Sequence, residues 1–405
     1  MGLSQKFAAS IAANIGYWQA RLSDPSDADL RVIDLDRVNL YRAIEFGLGL
    51  QETWQNTARL IIQCYSLILQ RGYYRDWIPV VEKVASFCTE DDLALKGRLL
   101  DQLGIFYRRN RQLDSAIAVH LEEEQIGELL EDASRIAFAR MHLSAVYWRK
   151  HQYELAEQYG LDALDGFSTL GDNKEKVASC LINLGNIAQD RGDLVLAKDR
   201  LKRALELYRE LNQLADVANA LKNVSTVYET EGSYDKALIG LIEAADILAP
   251  TDFEIDKTMI EINIGTLYFR KGQLDLAEAA FKRADSPYMR EFGPVFYRAL
   301  TANNLGNVYL LREQWDQAEK YLQGSIILFR QARAQVNLAN SLSGVAEALV
   351  GMGKVDEAIP YYDEAIEIVS EYPEDAWAQR LYTEFTDARA ALVGDGAEIT
   401  ANRQI

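Results

Sequence analysis

One pattern returns seven times between residues 97 and 370, at intervals of 40 or 41 residues. Each copy has a small residue, and an alanine follows it twelve positions later. The small positions are Gly104, Ser144, Gly185, Ser225, Gly265, Gly306 and Ala346, and the alanines are Ala116, Ala156, Ala197, Ala237, Ala277, Ala318 and Ala358. A fixed interval of this length predicts an array of similar helical units, each burying its apolar face against the next.

Each copy contains the periodicity of two amphipathic helices. In the third copy, apolar residues recur every three or four positions from Val177 to Ala188, and again from Leu194 to Tyr208. Gly192 stands between these segments, and we expect it to end the first helix in a left-handed conformation. The small residues and alanines should lie where paired helices cross, because larger side chains would separate the axes beyond about 8–10 Å. The fold class predicted is all-α.

Tyrosine follows the small residue by three positions in most copies, at Tyr107, Tyr147, Tyr228, Tyr268 and Tyr309. This spacing of small residue, tyrosine and alanine resembles the tetratricopeptide repeat (TPR) over about two thirds of the chain. The long interval is similar to that of kinesin light chains and bacterial peptide-sensing regulators. The resemblance implies a right-handed TPR superhelix, an α-solenoid of about eight helix pairs.

The regular array divides the sequence into five segments. We predict an N-terminal helical capping or linker region at 1–58, a degenerate first repeat at 59–96, seven TPR repeats at 97–372, a C-terminal capping helix at 373–392 and a disordered tail at 393–405. The degenerate repeat has Tyr65 in the small position and Trp77 in place of the alanine.

A segment near the N-terminus resembles the start of the C-terminal TPR sensor arm of bacterial STAND signalling ATPases. The residues that carry this resemblance are Asp36, Asn39, Leu40, Ala43, Ile44, Phe46, Arg71, Gly72 and Asp76. It implies an upstream NTPase domain in a parent protein, so this chain is either a piece of a larger protein or a free-standing relative. No G-x-x-x-x-G-K-[ST] motif occurs, and no nucleotide-binding role is carried over.

Charge and hydropathy restrict the partners. A formal net charge of −18 would repel phosphate backbones, so we expect no nucleic-acid partner. The longest purely apolar runs, such as 67–69, are too short to span a bilayer, and we expect no membrane partner. No secretory signal is evident, which predicts a cytoplasmic protein whose three cysteines are reduced core thiols.

The residues suited to catalysis or metal binding are scattered. His120, His142 and His151 are never spaced at i and i+4, and no cysteine pair lies near them. No G-x-S-x-G motif is present. We therefore predict no enzyme activity, no metal site and no cofactor.

A column of hydrogen-bonding side chains stands two residues before the small positions. Its members are Gln63, Gln102, His142, Asn183, Asn223, Asn263 and Asn304, and the side chains of Asn186, Lys222 and Asn307 should project toward the same face. In the long-repeat relatives, similar asparagines on the concave face hold the main chain of an extended peptide. Neighbouring first helices lie about 10 Å apart, which matches about three extended residues of about 3.3 Å each. Alternatively, these amides bond between adjacent helices and bind no ligand.

Arginine occupies a second column, five residues past the small position, at Arg109, Arg149 and Arg270. In an acidic chain, guanidinium groups on the inner face would select a ligand that carries carboxylates. The alternative role is local, because cations in the last turn of a helix interact favourably with the helix dipole.

These patterns favour a non-enzymatic TPR module that binds an extended peptide or protein segment in its concave groove. The resemblances suggest the sensor or scaffold part of a bacterial signalling or regulatory system. One alternative is a small-molecule sensor, with an enclosed pocket lined by Trp148 and polar neighbours. Another is a purely structural scaffold or oligomerisation module.

Overall fold

The computed structural model describes residues 3–23, 25–171, 173–251 and 253–393. Within these ranges the regular structure is entirely helical and contains no strand, as the sequence predicted. None of the described helices combines the length and apolar character that crossing a membrane would need.

The chain forms two compact units, 1–227 and 228–405. The helices of the first unit are α1 (Leu3–Arg21), α2 (Asp27–Leu35), α3 (Arg37–Leu48), α4 (Trp54–Gln63), α5 (Tyr65–Arg71), α6 (Tyr74–Ala85), α7 (Leu93–Arg109), α8 (Leu113–Leu129), α9 (Ala133–Arg149), α10 (Tyr153–Thr169), α11 (Lys174–Asp190), α12 (Leu194–Glu210) and α13 (Leu214–Thr230), whose last residues belong to the second unit. The second unit continues with α14 (Tyr234–Leu248), α15 (Glu254–Arg270), α16 (Leu274–Ala284), α17 (Pro287–Phe292), α18 (Val295–Leu311), α19 (Trp315–Ala332), α20 (Gln335–Gly351), α21 (Val355–Ser370) and α22 (Ala376–Val393).

Every repeat consists of an A helix, which carries the small residue, and a B helix, which carries the alanine. The A helices are α7, α9, α11, α13, α15, α18 and α20, and the B helices are α8, α10, α12, α14, α16, α19 and α21. All seven alanines of the column have no solvent exposure. The repeat-type α-solenoid predicted from the sequence is confirmed.

The small residue leaves space for a larger side chain on the B helix, which lies sixteen positions later in the sequence. In four repeats these pairs are Gly104 with His120, Gly185 with Leu201, Gly265 with Phe281, and Gly306 with Leu322. A Cβ added at Gly265 would lie 2.5 Å from Phe281 Cε1, closer than packed atoms tolerate. Ser144 reverses the arrangement, since its partner is Gly160 and its hydroxyl donates to Ala156 O at 2.7 Å.

The turn between A and B helices has one conformation in all seven repeats. Gly192, Gly232, Gly272 and Gly353 adopt the predicted positive φ, and Arg111, His151 and Glu313 adopt it without being glycine. The next residue donates its backbone N–H to the carbonyl five positions earlier, as Asp193 N does to Ala188 O at 2.9 Å. This hydrogen bond closes the A helix in a Schellman motif.

The fifth repeat departs from the two-helix pattern. Its B helix, α16, has 11 residues, and the six-residue α17 follows it. The Ser286 hydroxyl accepts from Met289 N, and Pro287 occupies the first turn of α17. A proline at a new helix start was the sequence signal for this break.

The terminal segments are also helical. The segment 59–96, predicted as a degenerate first repeat, contains the end of α4, all of α5 and α6 and the start of α7. Trp77 on α6 is fully buried, and the centroid of its ring lies 5.1 Å from that of Tyr41. Cys64 and Cys180 are buried, and Cys88 is half-buried. The capping helix predicted at 373–392 corresponds to α22. The predicted disordered tail lies outside the described residues, apart from residue 393.

The left-handed turn residues give a stability prediction. Glu313→Gly should raise the free energy of unfolding by roughly 0.5–1 kcal/mol, because glycine avoids the Cβ clash of this conformation. Gly353→Ala should lower it by about 1 kcal/mol, since nothing lies within 4 Å of an added Cβ and only backbone strain changes. Urea unfolding followed by circular dichroism measures both shifts. Equal midpoints for the three proteins would contradict this account of the turn.

Candidate functional site

Within each unit, several A helices contact the A helix of a neighbouring repeat. Contacts join α7 to α9 and α9 to α11 in the first unit, and α15 to α18 and α18 to α20 in the second. The predicted amide and arginine columns both lie on these helices. We call the surface that carries them the A face, and we treat it separately in each unit.

Three members of the amide column in the first unit reach back to the helix that carries the preceding member of the column, which is α4, α7 or α9. Gln102 Nε2 donates to Ile62 O at 2.8 Å. His142 Nε2 lies 3.0 Å from Asp101 Oδ1, and Asn183 Nδ2 donates to Met141 O at 3.4 Å. The contacted residues Ile62, Asp101 and Met141 each directly precede a column member of the previous repeat, namely Gln63, Gln102 and His142. The column therefore helps to join neighbouring repeats.

These three side chains differ in how accessible their hydrogen-bonding groups are to a ligand. Gln102 is only 6% exposed and is committed to its bond with Ile62 O. We therefore assign it to packing between repeats, which revises its predicted role on a binding surface. Asn183 is half-buried, and its bond is at the long limit for a hydrogen bond.

The other predicted amides are half-buried on the A helices. In the first unit these are Asn186 and Asn223, with Lys222 beside them, and in the second unit Asn263, Asn304 and Asn307. Lys222 and Asn307 make further interactions of their own. A half-buried amide on a packed helix has a fixed backbone position and retains access to solvent, which suits it to bind a ligand.

The predicted arginines lie in a second contact register between repeats. In this register, the residue four positions after the small residue of one repeat contacts the residue five positions after the small residue of the following repeat. Trp148 Nε1 donates to Asp190 Oδ2 at 2.7 Å in the first unit, and Arg270 Nη1 lies 3.1 Å from Glu229 Oε1 in the second. Arg270 therefore has a carboxylate partner within its own unit.

Arg149 occupies the same register and makes further interactions of its own. Its counterpart one repeat earlier is Arg108, next to Arg109 in the last turn of α7. Burial, followed by repulsion from Arg109 and Arg149, lowers the pKa of Arg108 to about 10. Arg108 Nε is buried without a hydrogen-bond partner among the described residues. Arg149 also lies over the ring of Trp148, at 5.7 Å from its centroid.

The sequence analysis did not single out Arg108, which directly precedes Arg109 of the predicted arginine column. The available signal was the register between repeats. Where other repeats place Trp148 opposite Asp190 or Glu229 opposite Arg270, this one places two arginines.

A buried polar cluster lies beside these arginines. His120 on α8 is fully buried, and its Nδ1 lies 3.0 Å from Glu123 Oε2. The ring of His142 stacks on that of His120, with centroids 4.9 Å apart. Asp101 completes the cluster through its contact with His142.

Burial shifts both ends of the His120–Glu123 contact toward the neutral form. Burial, aided by repulsion from His142 and Arg108, holds the pKa of His120 well below its usual value. Burial, with a smaller contribution from Asp101, raises the pKa of Glu123 to about 9. A neutral imidazole thus contacts a protonated carboxyl group.

His120 and His142 are 22 residues apart in the sequence, so no local spacing motif could predict that they lie together. The signal lay in the column sixteen residues past the small position. That column reads His120, Gly160, Leu201, Leu241, Phe281, Leu322 and Tyr362, and His120 is its titratable exception with an ordinary pKa near neutrality. Among the described residues, no group of three His, Cys, Asp or Glu side chains is arranged to hold a metal ion.

A cavity of about 230 Å³ lies within the second unit. It is lined by Ala245, Ala249, Glu254, Lys257, Thr258, Glu261, Arg283 and Ser286. Arg283 forms a bidentate pair with Glu261, with both distances 2.8 Å, and Lys257 donates to Glu254 Oε1 at 3.1 Å. Arg283 and Lys257, the cations that line this cavity, are thus already paired with glutamates. Trp148 is not among the residues that line the cavity.

The fold and the A face together define an α-solenoid interaction module. The tetratricopeptide-repeat family models match residues 135–210, 262–286 and 297–371, which include parts of five of the seven repeats. The chain therefore carries tetratricopeptide repeats of the long form. This fold is typically a non-enzymatic scaffold.

One relative is Protein KINESIN LIGHT CHAIN-RELATED 3 from Arabidopsis thaliana. It is 21% identical over 216 residues, which cover 50% of this chain and 32% of that protein. The chain spans between 14% and 39% of the length of the curated relatives that it matches.

Two solved structures share the fold over most of this chain. A Rap protein complexed with competence and sporulation factor has a TM-score of 0.57 at 17% identity, covering 91% of this chain and 99% of its own. A STAND protein with a tetratricopeptide repeat sensor from Pyrococcus horikoshii has a TM-score of 0.55 at 13% identity, covering 88% of this chain and 50% of its own. Identities this low show a shared fold.

The buried pair gives a pH prediction. Between about pH 4.5 and 9 the folded protein keeps the Glu123 proton that the unfolded chain releases, so its stability falls as pH rises. His120 opposes stability only below about pH 6.5, where the unfolded imidazole binds a proton. Between pH 7 and 9, Glu123→Gln should therefore flatten the decline, whose limit is about 1.4 kcal/mol per pH unit.

Thermal unfolding midpoints at pH 7, 8 and 9 test this expectation. Glu122→Gln is the matched control, because Glu122 is the preceding residue on α8 but has a side chain that is 43% exposed and paired with Lys96. Parallel pH curves for wild type and Glu123→Gln would show that the buried carboxyl is already ionised.

Proposed function

We propose that the A face of the first unit binds an extended peptide or protein segment, chiefly through the main chain of that segment. The binding residues would be Asn183, Asn186 and Asn223, with His142 at the edge. The observation that carries this proposal is that these polar side chains remain half-buried on packed A helices, whereas Gln102 alone in this unit's predicted column is buried.

The spacing of the helices suits a peptide backbone. Four A helices, α7 to α13, at about 10 Å intervals span about 30 Å. Nine or ten extended residues cover roughly that distance. An asparagine amide donates and accepts, as a peptide group does, so each one could pair with main-chain N–H or C=O. Each bond contributes about 0.5–1.5 kcal/mol, and useful affinity needs several.

The second unit offers a similar but less cationic surface. Asn263, Asn304 and Asn307 lie on its A helices, and Arg270 already contacts Glu229. We therefore assign the reading of acidic groups to Arg109 of the first unit, which is exposed at the end of α7. The partner would be a peptide or protein segment with anionic side chains, and nucleic acid or membrane would not bind.

The comparisons support a regulatory setting for this module. The solved relatives include a Rap protein complexed with a factor and a STAND protein with a repeat sensor. By analogy, this chain would act as the cytoplasmic sensor or scaffold part of a bacterial signalling system, joined to or working with an NTPase domain.

A small-molecule sensor is the second candidate, and the cavity of the second unit is the observation in its favour. Its ion pairs would have to open before a charged metabolite could bind, which weakens this candidate. A purely structural module would bind nothing on either A face.

Selection of a random decapeptide library on the purified protein tests the leading proposal. The double variant Asn183→Ala/Asn223→Ala should weaken the binding of selected peptides by roughly 1–3 kcal/mol, since it removes two or more hydrogen bonds. Gln125→Ala/Gln158→Ala is the matched control, because both glutamines are exposed on B helices of the same unit. Fluorescence anisotropy measures the affinities, and circular dichroism checks that helicity is unchanged.

Main-chain recognition has a signature of its own. N-methylation of alternate peptide nitrogens should abolish binding, whereas single alanine substitutions in the peptide should have small effects. If the asparagine variant binds like wild type, or if N-methylated peptides bind unimpaired, the proposed clamp does not exist.

A further inference from the structure

The cavity of the second unit lies where the fifth repeat loses part of its B helix. The other B helices have 15 to 18 residues, whereas α16 has 11 and ends at Ala284. The two helices of a hairpin run antiparallel, so the turns that α16 lacks would lie beside the first half of α15. The cavity is lined from the end of α14, the first half of α15 and the end of α16, with Ser286 just before α17. The short helix thus leaves this space open.

Four charged side chains line the cavity, and their charges cancel. Arg283 pairs with Glu261 through two contacts of 2.8 Å. Lys257 Nζ lies 3.1 Å from Glu254 Oε1. The Arg283 side chain is 55% exposed, whereas the other three are between 18% and 26% exposed. Arg283 is therefore the least enclosed of the four.

The rest of the lining is made of small side chains. Ala245 and Ala249 are one helical turn apart, and Thr258 is buried. The Ser286 hydroxyl accepts from Met289 N at 3.2 Å and retains the capacity to donate. The cavity thus combines methyl groups with charges of both signs.

We propose that this cavity binds a free aliphatic α-amino acid in its zwitterionic form. The ligand carboxylate accepts hydrogen bonds from Arg283, its ammonium group donates to Glu261, and its side chain contacts Ala245 and Ala249. This proposal gives the ligand class for the small-molecule candidate, and it does not depend on peptide binding by the first unit.

A zwitterion fits the four charges better than an anion or a cation does. Because the lining is neutral, a ligand with a net charge would leave one charge unbalanced in a partly enclosed space. A zwitterion instead exchanges partners with the Arg283–Glu261 pair, so both side chains stay paired. The guanidinium fork that binds the Glu261 carboxylate suits the carboxylate of the ligand equally well.

The volume of the cavity restricts the size of the ligand. At about 30 Å³ for each water molecule, a cavity of about 230 Å³ holds roughly eight waters, or a ligand with a similar number of heavy atoms. Valine is of this size. Pockets for drug-sized ligands are larger, at about 300–1,000 Å³.

Four probes test the proposal by isothermal titration calorimetry at pH 7, namely L-valine, glycine, valinamide and N-acetylvaline. Valinamide lacks the carboxylate, N-acetylvaline lacks the ammonium group, and glycine lacks the side chain. L-valine should bind at least tenfold more tightly than each of the other three probes.

Variants of the ion pair should change the selectivity in opposite directions. Glu261→Gln gives the lining a net positive charge, so the ratio of L-valine affinity to N-acetylvaline affinity should fall at least tenfold. Arg283→Gln gives a net negative charge, so the ratio of L-valine affinity to valinamide affinity should fall at least tenfold. An ion pair with a purely structural role would change neither ratio.

Arg330→Gln is the matched control for Arg283→Gln. The Arg330 side chain is 54% exposed and pairs with Glu364 at 2.6 Å, and neither residue lines the cavity. This variant should keep both affinity ratios of the wild type.

Equal affinities for L-valine and either of its singly charged derivatives would overturn the assignment to a zwitterion. So would unchanged ratios in both ion-pair variants, an Arg330→Gln variant that alters the ratios as Arg283→Gln does, or a wild-type protein that binds none of the four probes. Failure of the decapeptides to bind would leave these results unaffected, because the asparagines tested there lie in the first unit.

Discussion

Close approach of the A and B helices in each repeat is the constraint on which the rest of the structure depends. A Cβ added to Gly185 or Gly306 would lie 2.6 or 2.5 Å from the leucine that faces it. The small residue thus lets a bulky partner from the B helix fill the crossing, and Ser144 with Gly160 achieves the same fit in reverse. Because this contact recurs, each repeat presents its A helix to the next in the same register, and polar side chains on those helices meet at fixed offsets.

Most of the fold could be predicted from the sequence, because the contacts that define it are local. Gly104 and His120 are sixteen residues apart within one hairpin, and Gly192 needs only its own φ to end a helix. The candidate site was harder to predict from the sequence, because its contacts join residues of different repeats. His120 and His142 stack although no motif links them, and the repulsion of Arg108 by Arg149 follows only from the offset between A helices. The broken fifth B helix was missed for a different reason, since periodicity alone did not reveal the start signalled by Pro287.

Polar groups on the A helices divide between joining repeats and facing solvent. Gln102 joins repeats through its Nε2, which donates to Ile62 O, whereas its Oε1 is buried without a hydrogen-bond partner among the described residues. Asn183 makes a longer bond of the same kind and stays half-buried. The same column can thus stabilise the array and bind a ligand, with burial deciding which role dominates at each position.

The short α16 has a consequence for the mechanics of the second unit. In a solenoid, cohesion is carried by each hairpin against its neighbours. An 11-residue B helix offers the following hairpin less apolar surface than the 18-residue α19 does. Under tension along this unit, the contacts between α16 and α18 would therefore separate before the contacts between hairpins that have longer B helices.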